Sequence, residues 1–346
     1  MTKSHVWGEK ETEFFFSLTP ERILDAVEAS GLRCTGRCFQ LNSMENRVYE
    51  VELELDDDVE VKSPSERFRI VKFYRPGRWS KEQILEEHQF LLDLEDSEIR
   101  ISAPERFSDG KTLHQLDDLH IWYAVFPKVG GRSPDELSME QAQVLGRLIA
   151  RLHNIGAARP AEHRVVLDTD SYGRENLEYL LANNAIPLDF ERRFREAMES
   201  IIQLSEPWFQ AAEYQKIHGD AHLGNLLVHP EKGMLWVDFD DCVRGPCVQD
   251  LWLVTPGRDE WSHRQREWLL DGYTQMRDFD RSTLRLIEPL RALRMLHFHA
   301  WIHKRWQDPA FPRTFPHFGS MAYWQDALIT MEEQMRLVQM EAQRQI

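Results

Sequence analysis

The stretch Ile217-His218-Gly219-Asp220-Ala221-His222-Leu223-Gly224-Asn225, followed by Leu235-Trp236-Val237-Asp238-Phe239-Asp240, decides how this chain reads. It sets Asp220, Asn225 and Asp238 at relative positions 0, +5 and +18. Between the last two lie an apolar run, Leu226-Leu227-Val228, and a turn, His229-Pro230-Glu231-Lys232-Gly233, the pattern of a hairpin. Phosphoryl transfer from ATP needs such a set: one carboxylate to take the acceptor's hydroxyl proton, then an amide and a carboxylate for Mg²⁺. A polar loop capping a hairpin would use the same residue types but would not require the three-part spacing. The spacing predicts Asp220 as the base, with Asn225 and Asp238 as holders of Mg²⁺.

Such chemistry also calls for a phosphate-binding lysine upstream, on a strand. Arg67-Phe68-Arg69-Ile70-Val71-Lys72-Phe73-Tyr74 alternates polar and apolar residues and presents Lys72. Strand lysines are commonly just solvated; the helix that follows changes the weight of this one. Ser80 to Leu94 opens with Ser80 and Gln83 in a capping-box arrangement, and its apolar residues at 84, 91 and 94, with 85 and 92, form an inward stripe. Glu87 falls on that stripe, where its carboxylate can hold the Lys72 ammonium; Glu86 is expected to face solvent.

HGDxHxGN at 218–225, VDFDD at 237–241 and Asp250-Leu251-Trp252 together resemble the signature of the aminoglycoside-phosphotransferase and choline-kinase superfamily, ATP-dependent kinases with a protein-kinase-like fold. Leu41-Asn42-Ser43-Met44-Glu45-Asn46-Arg47-Val48-Tyr49, Val71 to Trp79 (VKFYRPGRW), Glu86 to Phe90, Phe126 to Arg132 and Asp308-Pro309-Ala310-Phe311-Pro312 resemble a narrower branch. That branch is the bacterial stress response kinase A family, cytoplasmic kinases reported to phosphorylate protein Ser and Thr. The resemblance runs from about residue 15 to about 330. It implies an α+β, two-lobed fold: an N-lobe over 1–127 with an antiparallel sheet and one key helix, and a mostly helical C-lobe over 128–346. It also implies backbone contacts from Phe126 to Val129 with adenine, and Ser43 against the ATP.

Departures from the protein-kinase pattern bear on mechanism. No GxGxxG precedes Lys72, so the Leu41–Val51 hairpin cannot lie as closely over a triphosphate. Ser43, Asn42 and Asn46 can donate hydrogen bonds there, although Asn and Ser also favour turns for their own reasons. His218-Gly219-Asp220 lacks the arginine that would pair with an activation-loop phosphate, and no APE segment follows Asp238, so control by activation-loop phosphorylation is not expected.

The 346 residues suffice for two lobes with sizeable cores, and the formal charge of −16 argues against nucleic-acid or anionic-membrane partners. No membrane-span-like run and no signal-peptide pattern in Met1 to Gly8 is read, and four cysteines at non-finger spacings suit a reducing, cytoplasmic setting. A monomer is expected. Asp56-Asp57-Asp58 reads as a solvated turn. A helix is expected from Pro20 with Thr19 as cap, strands near 37–41, 47–55, 67–74 and 120–126, and a hairpin across Gly110. Further helices are expected at 140–153, 174–183, 189–204, 260–276, 280–304 and 321–344. His153 reads as a structural histidine, as do His297, His299 and His303. Asp240 is a lesser metal candidate than Asp238. Asp250 is placed to open a helix, and by resemblance to brace the catalytic loop. The aromatic run 301–318 reads as loop.

The expected function is an ATP-dependent Ser/Thr protein kinase, with partners ATP and Ser/Thr-bearing proteins. Lys72, set by Glu87, neutralises phosphates, Asp220 acts as base, and Asn225 and Asp238 hold Mg²⁺. The alternatives are a kinase of small molecules (an amino alcohol, sugar or aminoglycoside) and a nucleotide-sensing pseudokinase.

Overall fold

The computed structural model describes residues 15, 17–56 and 60–344. Asp57 and Asp58 of the acidic triplet and Met1 to Gly8 therefore lie outside the described residues. Packing divides the chain into two units, one running to Leu137 plus His222–Asp241, the other Ser138–Ala221 plus Cys242 onward.

In the first unit, Pro20 sits in the first turn of helix α1 (Pro20–Glu28). A five-stranded antiparallel sheet follows in the order β1-β2-β3-β5-β4, from β1 (Cys34–Gln40), β2 (Arg47–Leu53), β3 (Phe68–Phe73), β4 (His114–Leu116) and β5 (Ile121–Pro127). Val51, Val71, Phe73, Ile121, Tyr123 and Val125 bury one face against Ile23 and Val27 of α1. Period-two alternation then puts Lys72, paired in register with Val48 and Ala124, on the other face. His120, expected in the last strand, sits instead at φ 54° in the turn before it; Gly110 (φ +81°) makes a turn, but the expected hairpin forms further on, between β4 and β5 across residues 117–120.

Helix α2 (Lys81–Asp96) starts at the predicted capping box: Gln83 N–H donates to Ser80 Oγ (3.2 Å) and Ser80 N–H to Gln83 Oε1 (2.8 Å). Its buried stripe is Ile84, Glu87, His88, Leu91 and Leu94; Leu85, expected on it, is 37% exposed, since it stands roughly 100° round the helix from Ile84. The strands Leu226–His229 and Gly233–Trp236 pair as the predicted hairpin. The sequence boundary after 127 gave this hairpin to the second lobe. Packing groups it with the sheet, because Arg132 bridges Val228, Phe239 packs on Phe90, and Arg78 pairs with Asp240.

The second unit is built on helices α3 (Met139–Ala158), α4 (Glu175–Ala182), α5 (Leu188–Ala211), α6 (Val248–Val254), α7 (Glu260–Tyr273), α8 (Ile287–Lys304), α9 (Ala310–Thr314) and α10 (Met321–Gln343). Their core includes Phe194, Ile201, Leu290, Leu296, Trp324 and Met331. Helix α5 runs past the expected end at 204 and through Pro207, because Trp208 and Phe209 beyond it are buried in this core. The expected helix from 280 opens as a 3₁₀ turn, Arg281–Leu286, and the stretch expected to be loop contains α9. Two short strands, Gln215–Ile217 and Val243–Gly245, pair antiparallel and carry the chain into the HGD segment. Gly156 of α3 admits this strand closely: a Cβ there would stand 2.1 Å from the Lys216 carbonyl oxygen. The expected architecture, an antiparallel sheet unit with a key helix and a mostly helical unit, is the one found.

Candidate active site

Strand β3 and helix α2 bring Lys72 and Glu87 together: Lys72 Nζ lies 3.5 Å from Glu87 Oε1, with both residues buried. Asp240 is closer still, at 2.8 Å, and Asp238 stands at 3.9 Å. Burial works against the ammonium, yet Asp240, Glu87, Tyr74 and Asp238 outweigh it and hold the pKa of Lys72 well above that of an ordinary lysine. A lysine kept charged in a dry setting is what phosphate neutralisation needs.

Asp240, weighed from sequence as a second metal ligand, is engaged by two cations. Arg78 Nη1 lies 2.6 Å from its Oδ2, and the same guanidinium pairs with Asp241. Arg78 is 4% exposed; burial disfavours its charge, but Asp240, Asp241 and Glu45 more than compensate and raise its pKa.

Asn225 and Asp238 flank the hairpin at its open end. Leu226 pairs with Trp236, and Val237 N–H donates to the Asn225 carbonyl (2.9 Å), which sets Asn225 opposite Val237 with Asp238 the next residue along. Asp238 adopts φ +61°, a left-handed conformation uncommon for a non-glycine residue, and its side chain is 62% exposed. An amide oxygen and an exposed carboxylate are the hard donors that Mg²⁺ accepts, and the ion ordinarily completes its shell with waters and substrate phosphates. The described residues contain no group of three or more His, Cys, Asp or Glu that could cage a metal.

Within the second unit, Asp250 holds the HGD loop. Its carboxylate accepts from His218 N–H and Gly219 N–H (2.8 Å each) and contacts His153 Nε2 at 3.1 Å. Gly219 sits at φ +81°, and its carbonyl accepts from Gln249 Nε2 (2.9 Å). Asp250 occupies the third position of α6 rather than opening it, so its carboxylate is directed to the loop and not to its own helix. His153 is fully buried and also bonds Tyr273 Oη (3.0 Å), a structural histidine as expected. Asp220, the candidate base, is left partly exposed, with Arg294 Nη2 2.7 Å from its Oδ1.

Known proteins can now be set beside this geometry. The model of the phosphotransferase enzyme family matches residues 42–287. The chain belongs to the phosphotransferase enzyme family. Stress response kinase A of Salmonella typhi is 38% identical over 325 residues, covering 94% of each protein. Serine/threonine protein kinase RdoA of Salmonella typhimurium is likewise 38% identical, over 94% of each. Among solved structures, amicoumacin kinase hAmiN in complex with AMP-PNP, Ca²⁺ and Ami superposes with a TM-score of 0.72 at 21% identity, over 94% of this chain and 96% of that one. The protein is therefore an ATP-dependent phosphotransferase of the kinase-like fold.

As a member of this family it carries two arginines at the site that the sequence reading did not single out. Arg78 stood in a motif noted only for its resemblance, and nothing local marked it as buried. Arg294 lies 74 residues beyond Asp220 on α8, where no sequence signal pointed to the base. Ser43 is half-buried in the segment between β1 and β2. Asn46, considered as a donor toward ATP, is buried, and its Oδ1 accepts from Arg75 N–H (3.0 Å), so it fastens the hairpin instead. Phe126 is buried in β5 against His88, and Val129 follows the strand half-buried. His297, His299 and His303 each meet an aromatic hydroxyl or ring: His297 stacks on Tyr172, His299 bonds Tyr323 Oη (2.5 Å) and His303 bonds Tyr179 Oη (3.0 Å). Among the described residues no helix is long and apolar enough to cross a membrane.

Proposed function

We propose that Asp220 accepts the proton of an acceptor hydroxyl as that oxygen attacks the γ-phosphorus of ATP, while Lys72, held by Glu87 and Asp240, neutralises the α- and β-phosphates. Asn225 and Asp238 would hold Mg²⁺, which when bound supplies charge neutralisation along the triphosphate. Ser43 and the backbone of Phe126 to Val129 would meet the nucleotide. The observation that carries this reading is the Lys72 cluster, three carboxylates within 4 Å of one buried ammonium. Asp238→Ala tests it: calorimetric ATP titrations should lose their Mg²⁺ dependence, and an unchanged dependence would sink the ligand role.

The acceptor has two readings. The Ser/Thr protein reading, with a stress-response setting, is supported by the names of relatives 38% identical to this chain; a cytoplasmic location is part of the same proposal. The small-molecule reading is supported by the structural likeness to amicoumacin kinase, and the structural comparisons as a set weigh toward it. Incubation with labelled ATP and a cell lysate, split into protein and metabolite fractions, separates them. Label on Ser or Thr of protein, with no turnover of choline, homoserine or kanamycin, supports the first; saturable labelling of a metabolite with no phosphoprotein establishes the second.

A further inference from the structure

A cleft of about 400 Å³ opens in the helical unit, between α7, the 3₁₀ turn Arg281–Leu286 and the last turns of α10. Its volume falls within the range that holds small ligands. Three arginines line it, Arg266, Arg281 and Arg285, along with His263 and Ser282, against two carboxylates, Glu267 and Glu341. In a chain of formal charge −16 such a local excess of guanidinium stands out.

The carboxylates are already engaged. Glu267 takes both forks of Arg281, at 3.1 and 2.6 Å, and Glu341 pairs with Arg344 at 3.2 Å. Arg266 is the decisive residue. It is 7% exposed, and its Nη2 donates to the carbonyls of Thr255 (2.9 Å) and Gly257 (3.2 Å). Its Nε has no hydrogen-bond partner among the described residues. A role as a clamp on residues 255–257 explains one nitrogen but not the rest. Burying a guanidinium is costly: burial, followed by repulsion from Arg291, lowers the pKa of Arg266, with Glu288 and Glu267 only partly offsetting the fall. A buried guanidinium with a spare donor, lining the same cleft as two further arginines, matches the oxygens of a phosphate group, which the planar fork binds in pairs.

We infer that this cleft is a second binding site, for a small phosphorylated anion, apart from the nucleotide and acceptor positions of the transfer reaction. Such a ligand would give the Arg266 Nε the acceptor that it lacks among the described residues.

Pyrophosphate is the probe, titrated by calorimetry into the full chain with its nucleotide site saturated by Mg·AMP-PNP. One binding event per chain is expected, weakened on the order of 10-fold or more in Arg266→Gln, which removes charge-assisted bonds. Ser282→Glu sets a carboxylate in the mouth of the cleft at an exposed position, and it should weaken pyrophosphate at least as much while leaving AMP-PNP affinity unchanged. Should Arg266→Gln fail to fold, Ser282→Glu decides. No pyrophosphate binding to the saturated chain, or binding that Ser282→Glu leaves unchanged, overturns the assignment.

Discussion

The Lys72 cluster of the sheet unit and the Asp220 loop of the helical unit are held by opposite means. Around Lys72 the geometry rests on full charges: two cations, Lys72 and Arg78, share Asp240, with Glu87 and Asp241 completing the set. Around Asp220 it rests on backbone, with two N–H groups given to Asp250 and one carbonyl held by Gln249. A charge cluster can rearrange its pairs when a polyanionic nucleotide enters. A loop fixed by backbone hydrogen bonds keeps its shape whatever the surrounding charge. On the proposed reading, the region that would bind the nucleotide's charge is thus the adjustable one, and the region that would orient a proton acceptor is the rigid one.

The comparison breaks most sharply at the lysine. Lys72→Ala should lower turnover on the order of 10²–10³, as loss of one preorganised electrostatic group does. Glu87→Ala should cost less, because Asp240 still holds the ammonium. Steady-state rates for both singles and the double check this, and fully additive losses would mean the pair does not act as a unit.

Asp220→Asn should lower phosphotransfer by at least ~10² while leaving Mg·ATP binding and folding intact, since the loop is shaped by backbone bonds rather than by this side chain. Single-turnover rates beside nucleotide titrations read the two apart; a variant that kept most of its turnover would remove Asp220 from the mechanism.

The helical unit also carries a buried neutral histidine, which makes its stability depend on pH. Burial lowers the pKa of His299 to about 4, against 6.5 unfolded. Its contribution is fully present above pH 6.5 and is lost as pH falls toward 4, because the unfolded chain then binds a proton that the folded chain refuses. About 3 kcal/mol should disappear over that window. Denaturant unfolding at pH 7 and pH 4, compared with His299→Phe, measures it; an equal pH loss in the variant would assign the effect elsewhere.

The smallest effect is expected at Arg294, whose side chain is 42% exposed and whose pairing with Asp220 is open to solvent. Arg294→Ala should lower kcat no more than about 5-fold, the reach of an exposed ion pair, with partial rescue by Arg294→Lys. A loss as large as that of Asp220→Asn would make the arginine part of the rigid scaffold.

Local patterns made much of this legible. The capping box at Ser80 and Gln83, the alternation that turns Lys72 away from Val71 and Phe73, and the helical stripe carrying Glu87 are all short-range regularities, and each recurs in the structure. Leu85 was misplaced because a stripe two residues wide is not resolved by periodicity alone, and α5 outran its expected end because core burial of Trp208 and Phe209 overrides the proline.

By itself, the sequence determined the family, the fold class and which residue types stand ready for phosphoryl transfer, because spacing along a chain survives as spacing within a loop or hairpin. Only the tertiary structure decided the pairings. Asp240 faces Lys72 and Arg78, Asp250 serves the HGD loop instead of its own helix, and Arg294 reaches Asp220 from 74 residues away. Electrostatic partnership depends on distance in space, and residues far apart in the chain meet only once the core has packed.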